Sequence, residues 1–152
     1  MTDQTNLTAN VEIVTSHLMP NGNVVHETQE VRNLVVDAGL NLLRDRLAGT
    51  SSAYATHLAV GTGTTAASAA QTTMVTEVFR DALTSTTTAS KAVTFKYYLA
   101  SGSANGNTLQ EIGLFTASSG GTMVARAVLV SHIVKTASVT VTFSWTINFS
   151  AS

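Results

Sequence analysis

Ser138-Val139-Thr140-Val141-Thr142-Phe143-Ser144-Trp145-Thr146-Ile147-Asn148-Phe149 alternates without interruption. Val139, Val141, Phe143, Trp145, Ile147 and Phe149 fall on one face, and serine, threonine and asparagine fall on the other. Side chains of an extended chain point to opposite faces in turn, so this stretch predicts a long strand with one buried side and one polar side. Such a strand needs a second layer to cover its apolar face. Working outward, Val93, Phe95, Tyr97 and Leu99 alternate with Thr94, Lys96 and Tyr98 in the same way. Leu109 to Phe115 and Thr122 to Val130 flank Ala117-Ser118-Ser119-Gly120-Gly121, a glycine-rich hairpin connection. His57 to Val60 is a short strand closed by Gly61-Thr62-Gly63. Val75 to Ala82 reads as a strand, although Thr73 to Leu83 also admits a helix, and Thr84 to Ser90 reads as a mobile Thr/Ser hairpin tip.

Toward the N-terminus, residues 1–10 are polar and unpatterned and read as an arm that orders against a partner. Val11 to Leu18 and Val24 to Arg32 flank Pro20-Asn21-Gly22-Asn23, a strong turn signal, and make a hairpin over residues 11–32. Its sparse apolar content suggests a sheet edge or a surface covered by another chain. One helix is expected over residues 37–48. Asp37 is its N-cap, Leu40, Leu43 and Leu47 form an apolar stripe, and Gly49 is the left-handed residue that ends it. Seven or eight antiparallel strands and one helix predict a single domain over residues 11–152, a mainly β, antiparallel β-sandwich with one short helix packed on it.

Composition narrows the chemistry. The 152 residues amount to one domain, and only 11% are charged, against roughly 25% in an average soluble domain. Serine and threonine, about a quarter of the chain, supply the polar surface instead. Eight Lys and Arg against nine Asp and Glu offer no basic footprint, which argues against nucleic-acid binding. Without cysteine there are no disulfides, thiolate metal ligands or thiol nucleophiles. No apolar run approaches membrane-span length, and the acidic, polar start is unlike a signal peptide.

Individual motifs point away from catalysis. Gly61-Thr62-Gly63-Thr64-Thr65-Ala66 matches a dinucleotide-binding pattern on paper, but no helix or parallel-sheet pattern follows it, so it reads as a turn at a strand end. His26-Glu27-Thr28-Gln29-Glu30 starts like a zinc-protease motif yet has Glu30 where a second histidine must stand. His17, His26, His57 and His132 are scattered, although His17 and His26 are placed to face each other across the hairpin. Gly102-Ser103-Ala104-Asn105-Gly106 misplaces the hydroxyl for a nucleophile elbow. Glu77 and Glu111 alone among the acids sit within apolar strands, where a carboxylate needs a cationic or amide partner. Arg80 and Arg126 are the candidates, and structural ion pairs are expected. Gly113, between Ile112 and Leu114, marks a bulge or a close backbone approach. No catalytic residue, cofactor site or metal site is expected. A carbohydrate-binding module would need exposed aromatics; Tyr54 and Tyr98 qualify, while Tyr97 shares the buried register of Phe95.

Four stretches resemble a known family. Gln71-Thr72-Thr73-Met74-Val75-Thr76-Glu77-Val78-Phe79-Arg80-Asp81-Ala82-Leu83 is similar to a segment of the tail-collar fibre proteins of tailed bacteriophages, found in the domain that fixes the fibre to the virion. Ala59-Val60-Gly61-Thr62-Gly63 resembles the strand end before it. Glu111-Ile112-Gly113-Leu114-Phe115 with Gly121-Thr122-Met123-Val124-Ala125-Arg126 resembles a strand and its returning hairpin, and Val35 to Leu40 resembles the opening of the family's first helix. The family's fibres continue into a shaft and a host-binding tip, whereas this sequence stops at Ser152 and adds a hairpin at its start.

The resemblance implies a non-enzymatic virion structural protein, either a short tail fibre or a fibre-attachment adaptor of the tail; a capsid decoration (cement) protein is the alternative. It implies location in the virion after synthesis in the bacterial host cytoplasm. Low charge and threonine-rich strand faces suit lateral packing of copies. The expected partners are further copies of the chain, in a trimer, together with other tail or capsid proteins and a host surface receptor, without nucleic acid or membrane insertion. Val11, Ile13, Val24, Val25 and Val31 of the hairpin are the expected contacts with the virion or a neighbouring copy.

Overall fold

The structure, a computed structural model, describes residues 5–151, with side chains from Leu7 onward. Ten strands and one helix follow in the order β1 (Thr5–Leu18), β2 (Val24–Arg32), β3 (Leu34–Val35), α1 (Asp37–Leu47), β4 (His57–Gly61), β5 (Glu77–Ala82), β6 (Ser85–Ala89), β7 (Ala92–Leu99), β8 (Thr108–Phe115), β9 (Met123–Val134) and β10 (Val139–Ala151). They form two five-stranded antiparallel sheets in the orders β2-β1-β10-β7-β6 and β3-β9-β8-β4-β5, a β-sandwich. No helix among the described residues is long and apolar enough to cross a membrane.

The alternating stretch becomes β10, the centre of the first sheet, with β1 on one side and β7 on the other. Val141, Phe143 and Trp145 are fully buried and share one core cluster with Leu58, Ile112 and Leu114 of the second sheet. Burying each such side chain contributes about 1.5–3 kcal/mol, and this repeated term holds the two sheets together. Tyr97 stacks on Phe143 with ring centroids 6.2 Å apart. Its phenol is pushed up to about 12 by burial and, secondarily, by the charge of Asp81. The Trp145 indole N–H is satisfied by Asn33: with the amide turned to face it, Oδ1 accepts from Nε1 at 3.0 Å and from Asn10 N at 3.2 Å.

Several expectations need correcting. Met1 to Gln4 of the proposed arm lie outside the described residues, but Thr5 to Asn10 extend β1 and pair with β10 from Thr5↔Ala151 onward. Thr8 and Asn10 alternate with Leu7 and Ala9, which pack against the core, so the polar run is a strand with a small apolar face. Val11, Ile13 and Val31 lie in the sandwich core and are not surface contacts; Val24 (50% exposed) and Val25 (47%) remain available. The Thr/Ser run from Ser85 is strand β6, and the two-residue β3 was not anticipated. Phe149 closes the alternation but is exposed, beyond the edge of the core.

The helix also seats differently. Val36 occupies the N-cap without a side-chain hydrogen bond, and Asp37 is the first helical residue, its amide bonded to Ala69 O at 2.8 Å. Gly39 is the buried residue of α1, whereas Leu40 is exposed and Leu47 is 93% exposed. A methyl group on Gly39 would overlap the Val124 carbonyl of β9. Absence of a side chain, rather than the leucine stripe, therefore sets the contacting face. Helix propensity alone would make Gly39→Ala stabilising by about 1 kcal/mol. Close packing predicts the reverse: a loss of about 1–3 kcal/mol in urea unfolding, with Leu47→Ala within about 0.5 kcal/mol of wild type.

Candidate functional site

Of the residues singled out by sequence, Glu77, Arg80, Glu111 and Arg126 lie in the second sheet, and Glu111 and Arg126 meet on its outer face. In β8, Ile112 and Leu114 point into the sandwich, so Glu111, Gly113 and Phe115 point the other way. That outer face is covered by the segment 62–76 between β4 and β5, whose Met74 packs with Val36, Ala59, Phe115 and Met123 in a second small core. Strand β8 is thus buried on both faces over most of its length, which is why Glu111-Ile112-Gly113-Leu114-Phe115 shows no simple alternation.

Glu111 anchors this cover. Its Oε1 accepts from Gly63 N (3.0 Å) and Thr76 N (2.6 Å), and its Oε2 accepts from Val75 N (3.1 Å) and Arg126 Nε (2.8 Å). Arg126 Nη2 is also 2.8 Å from Oε2, an ionic contact without the angle of a second hydrogen bond. Arg126 Nη1 donates to Thr65 O (2.8 Å) and Gln71 Oε1 (3.2 Å), and Gln71 Oε1 also accepts from Ser68 N. Both charged side chains are completely buried. Burial raises the Glu111 pKa, but the Thr76 and Val75 amides and Arg126 outweigh it, and the carboxyl lies below its ordinary range. A Cβ on Gly63 would sit 2.5 Å from Glu111 Oε1, and one on Gly61 2.7 Å. The Gly-Thr-Gly run therefore exists for close approach of the carboxylate rather than for a tight turn.

Two further cations hold loops in the same manner. Arg80 grips Glu77 through Nε (2.8 Å) and Nη2 (2.7 Å), lies 3.6 Å over the Phe115 ring, and donates from Nη1 to Ala117 O and Gly120 O of the β8–β9 hairpin. Residues three apart on a regular strand face opposite ways; a register shift beside Gly61 places Glu77 and Arg80 on one side. Lys135 is fully buried, and Nζ donates to Ser101 O and Asn105 Oδ1 in the loop after β7 and to the carbonyl of its neighbour Thr136. Burial holds its pKa below the usual lysine range. Sequence reasoning missed Lys135; the only signal was one lysine standing directly after the apolar strand β9.

The histidines do not gather. His26 pairs with Ser16 (2.8 Å), not with His17, which stands opposite Val25 and 3.6 Å from Glu27 Oε2. His57 Nδ1 lies 2.8 Å from Thr56 Oγ1. His17, Glu27 and His132 border a cavity of about 240 Å³ where β2 meets β9, closed on one side by Gln29, whose amide donates to Ser131 O and accepts from Ser131 N. Among the described residues no three His, Asp or Glu side chains are grouped to hold a metal ion. Gly113 is a close approach: a Cβ there would meet the Phe115 ring and Met74 Sδ. Tyr54 and Tyr98 are exposed on separate elements.

Comparison with known proteins gave no match to any family model, curated protein or solved structure.

The arrangement does mechanical work: it fixes loops. Glu111→Gln keeps the shape but leaves Arg126 as an unpaired buried cation, and is expected to cost about 3–5 kcal/mol in denaturant unfolding at neutral pH. Because the folded-state pKa of Glu111 is depressed, its contribution is complete above the unfolded carboxylate range and disappears as pH falls through the folded value. The gap between wild type and Glu111→Gln should therefore narrow in acid; a gap independent of pH would contradict the ion pair's role.

Proposed function

We propose that the chain is a non-enzymatic structural protein of a bacteriophage virion, a short tail fibre or fibre-attachment component of the tail that assembles with copies of itself and with neighbouring virion proteins. The observation that carries this reading is how charge and apolar surface are divided. Glu111, Arg80, Arg126 and Lys135 are all engaged in holding loops, while apolar side chains are left outside at Leu18, Met19, Val24 and Val25 on the first hairpin and at Leu40 and Leu47 on α1. Exposed apolar groups beside a rigid scaffold suit docking between subunits.

The sequence resemblance adds support. Its quoted stretches contribute Gly63, Gln71, Val75, Thr76, Glu111 and Arg126, all members of the one buried network. Residues far apart in the chain but joined in one network are a coherent unit, which makes their common occurrence in order less arbitrary than four separate short matches.

Deletion of residues 1–32 would remove β1 and β2 from the first sheet and would unfold the domain rather than test attachment. Labelling is the better test. Antibody–gold applied to phage particles from the strain that encodes the chain should mark the tail at a few to a few dozen copies. Labelling of the shell in hundreds of copies would replace the tail reading with capsid decoration, and particles free of the protein would overturn both.

A further inference from the structure

The strands at the borders of the two sheets are protected to different degrees. β2 carries His26, Glu27, Glu30 and Arg32, and β5 carries Glu77, Arg80 and Asp81. β3 has two residues and runs almost directly into α1. Charge and brevity are the usual means of stopping one edge from joining another. β6 has neither safeguard. Ser85-Thr86-Thr87-Thr88-Ala89 contains no charge and no proline, every residue is exposed, and among the described residues its one strand neighbour is β7. Threonine also favours the extended conformation.

The hairpin fixes which backbone groups are free. Ala89 and Ala92 pair across the two-residue turn Ser90-Lys91, where Ser90 has φ of 50°. A two-residue turn closes on a hydrogen-bonded pair, and the pattern then alternates along the ladder. Ser85, Thr87 and Ala89 thus direct their N–H and C=O groups toward β7. Thr86 and Thr88 direct theirs to the open side.

We propose that β6 is a self-association edge: β6 of one copy pairs antiparallel with β6 of a second copy, with the two Thr87 residues facing each other across a two-fold axis. In that register Thr86 of each copy lies opposite Thr88 of the other, and each of these pairs exchanges both hydrogen bonds through the groups left free by the fold. Thr87 opposes Thr87 in the closer, non-hydrogen-bonded pair, where hydroxyl and methyl contacts are favourable and no like charges meet. No charged side chain within the strand opposes the pairing: Asp81 belongs to β5 of the second sheet and Lys91 to the turn that ends β6. Lys96, opposite Ser85 on β7, stands one strand inward and faces no like charge. Two-fold closure makes a dimer, in place of the trimer expected from sequence. One short strand is a small contact, weak in isolation and strengthened where copies are already held side by side. Its use in a particle rests on the assembly reading above, whereas the contact itself rests only on the fold.

Sedimentation velocity of the purified protein, over a concentration series reaching about 1 mM, tests it. Wild type should associate reversibly to a dimer. Thr88→Pro removes an N–H that points away from β7 and takes no part in the β6–β7 ladder, so it should stay monomeric with a thermal midpoint close to wild type. Thr87→Lys and Thr87→Glu should each weaken association by up to about fivefold, and mixing the two should restore a heterodimer. This charge-swap pair keeps the test decisive if the proline variant fails to fold. A wild type monomeric throughout, a trimer as the limiting species, or Thr87 variants that associate like wild type with no preference on mixing would each overturn the edge. Those results leave the particle labelling unaffected, and absence from particles leaves a solution dimer standing.

Discussion

A carboxylate with no contact with water is tolerated only when enough donors replace the water it has lost, and Glu111 has four of them within 3.1 Å. Removing an ion of this size from solvent costs several kcal/mol even after relaxation, so each donor must be held in place rather than merely nearby. That requirement reaches through the structure. Gly61 and Gly63 must lack side chains to admit the carboxylate. Arg126 must stand on β9 opposite Gly113, from where it reaches diagonally to Glu111. The segment 62–76 must fold back over the sheet to present the Val75 and Thr76 amides. In doing so it brings Met74 onto Phe115 and Met123 and creates a second apolar layer outside the sandwich.

The same device recurs with different partners. Arg80 binds the β8–β9 hairpin through the carbonyls of Ala117 and Gly120, and Lys135 binds the loop after β7 through Ser101 and Asn105. A domain poor in charge has committed its buried charges to loops, where backbone carbonyls and amides would otherwise be unsatisfied. Such loops are rigid enough to hold a constant outer shape, the property required of a subunit that packs against others. The proposed role in a virion and the proposed β6 contact both draw on that rigidity.

Legibility followed the physics of each element. β10 and β7 were readable because one face meets the core and the other meets water, and period-two alternation records that asymmetry directly. β8 was readable as a strand but not as one buried on both faces, since its cover comes from a distant segment. That Glu111 needs a cationic partner followed from the cost of burying a carboxylate, whereas Glu77, which meets Arg80, is exposed; which arginine serves Glu111 and the backbone donors of segment 62–76 carry no side-chain signature. The leucines of α1 revealed a helix and misidentified its contacting face, because Gly39 makes the contact by what it lacks. Val11, Ile13 and Val31 were placed outside because the hairpin looked apolar-poor; Leu7 and Ala9 lengthen β1 and complete its inner face. β6 was hidden by composition: a threonine run has the propensity of a strand and the appearance of a loop.

The central claim, that Glu111 locks the segment over the second sheet as part of the folded core, is tested most directly by native-state hydrogen exchange at Gly63, Val75 and Thr76. These three amides belong to a long connection without regular structure, where fast exchange is the ordinary expectation. If the network holds, they exchange only through opening nearly as costly as global unfolding, with protection comparable to the amides of β8 and β10. Exchange at these positions at rates typical of an exposed loop, while β8 and β10 remain protected, would contradict the account.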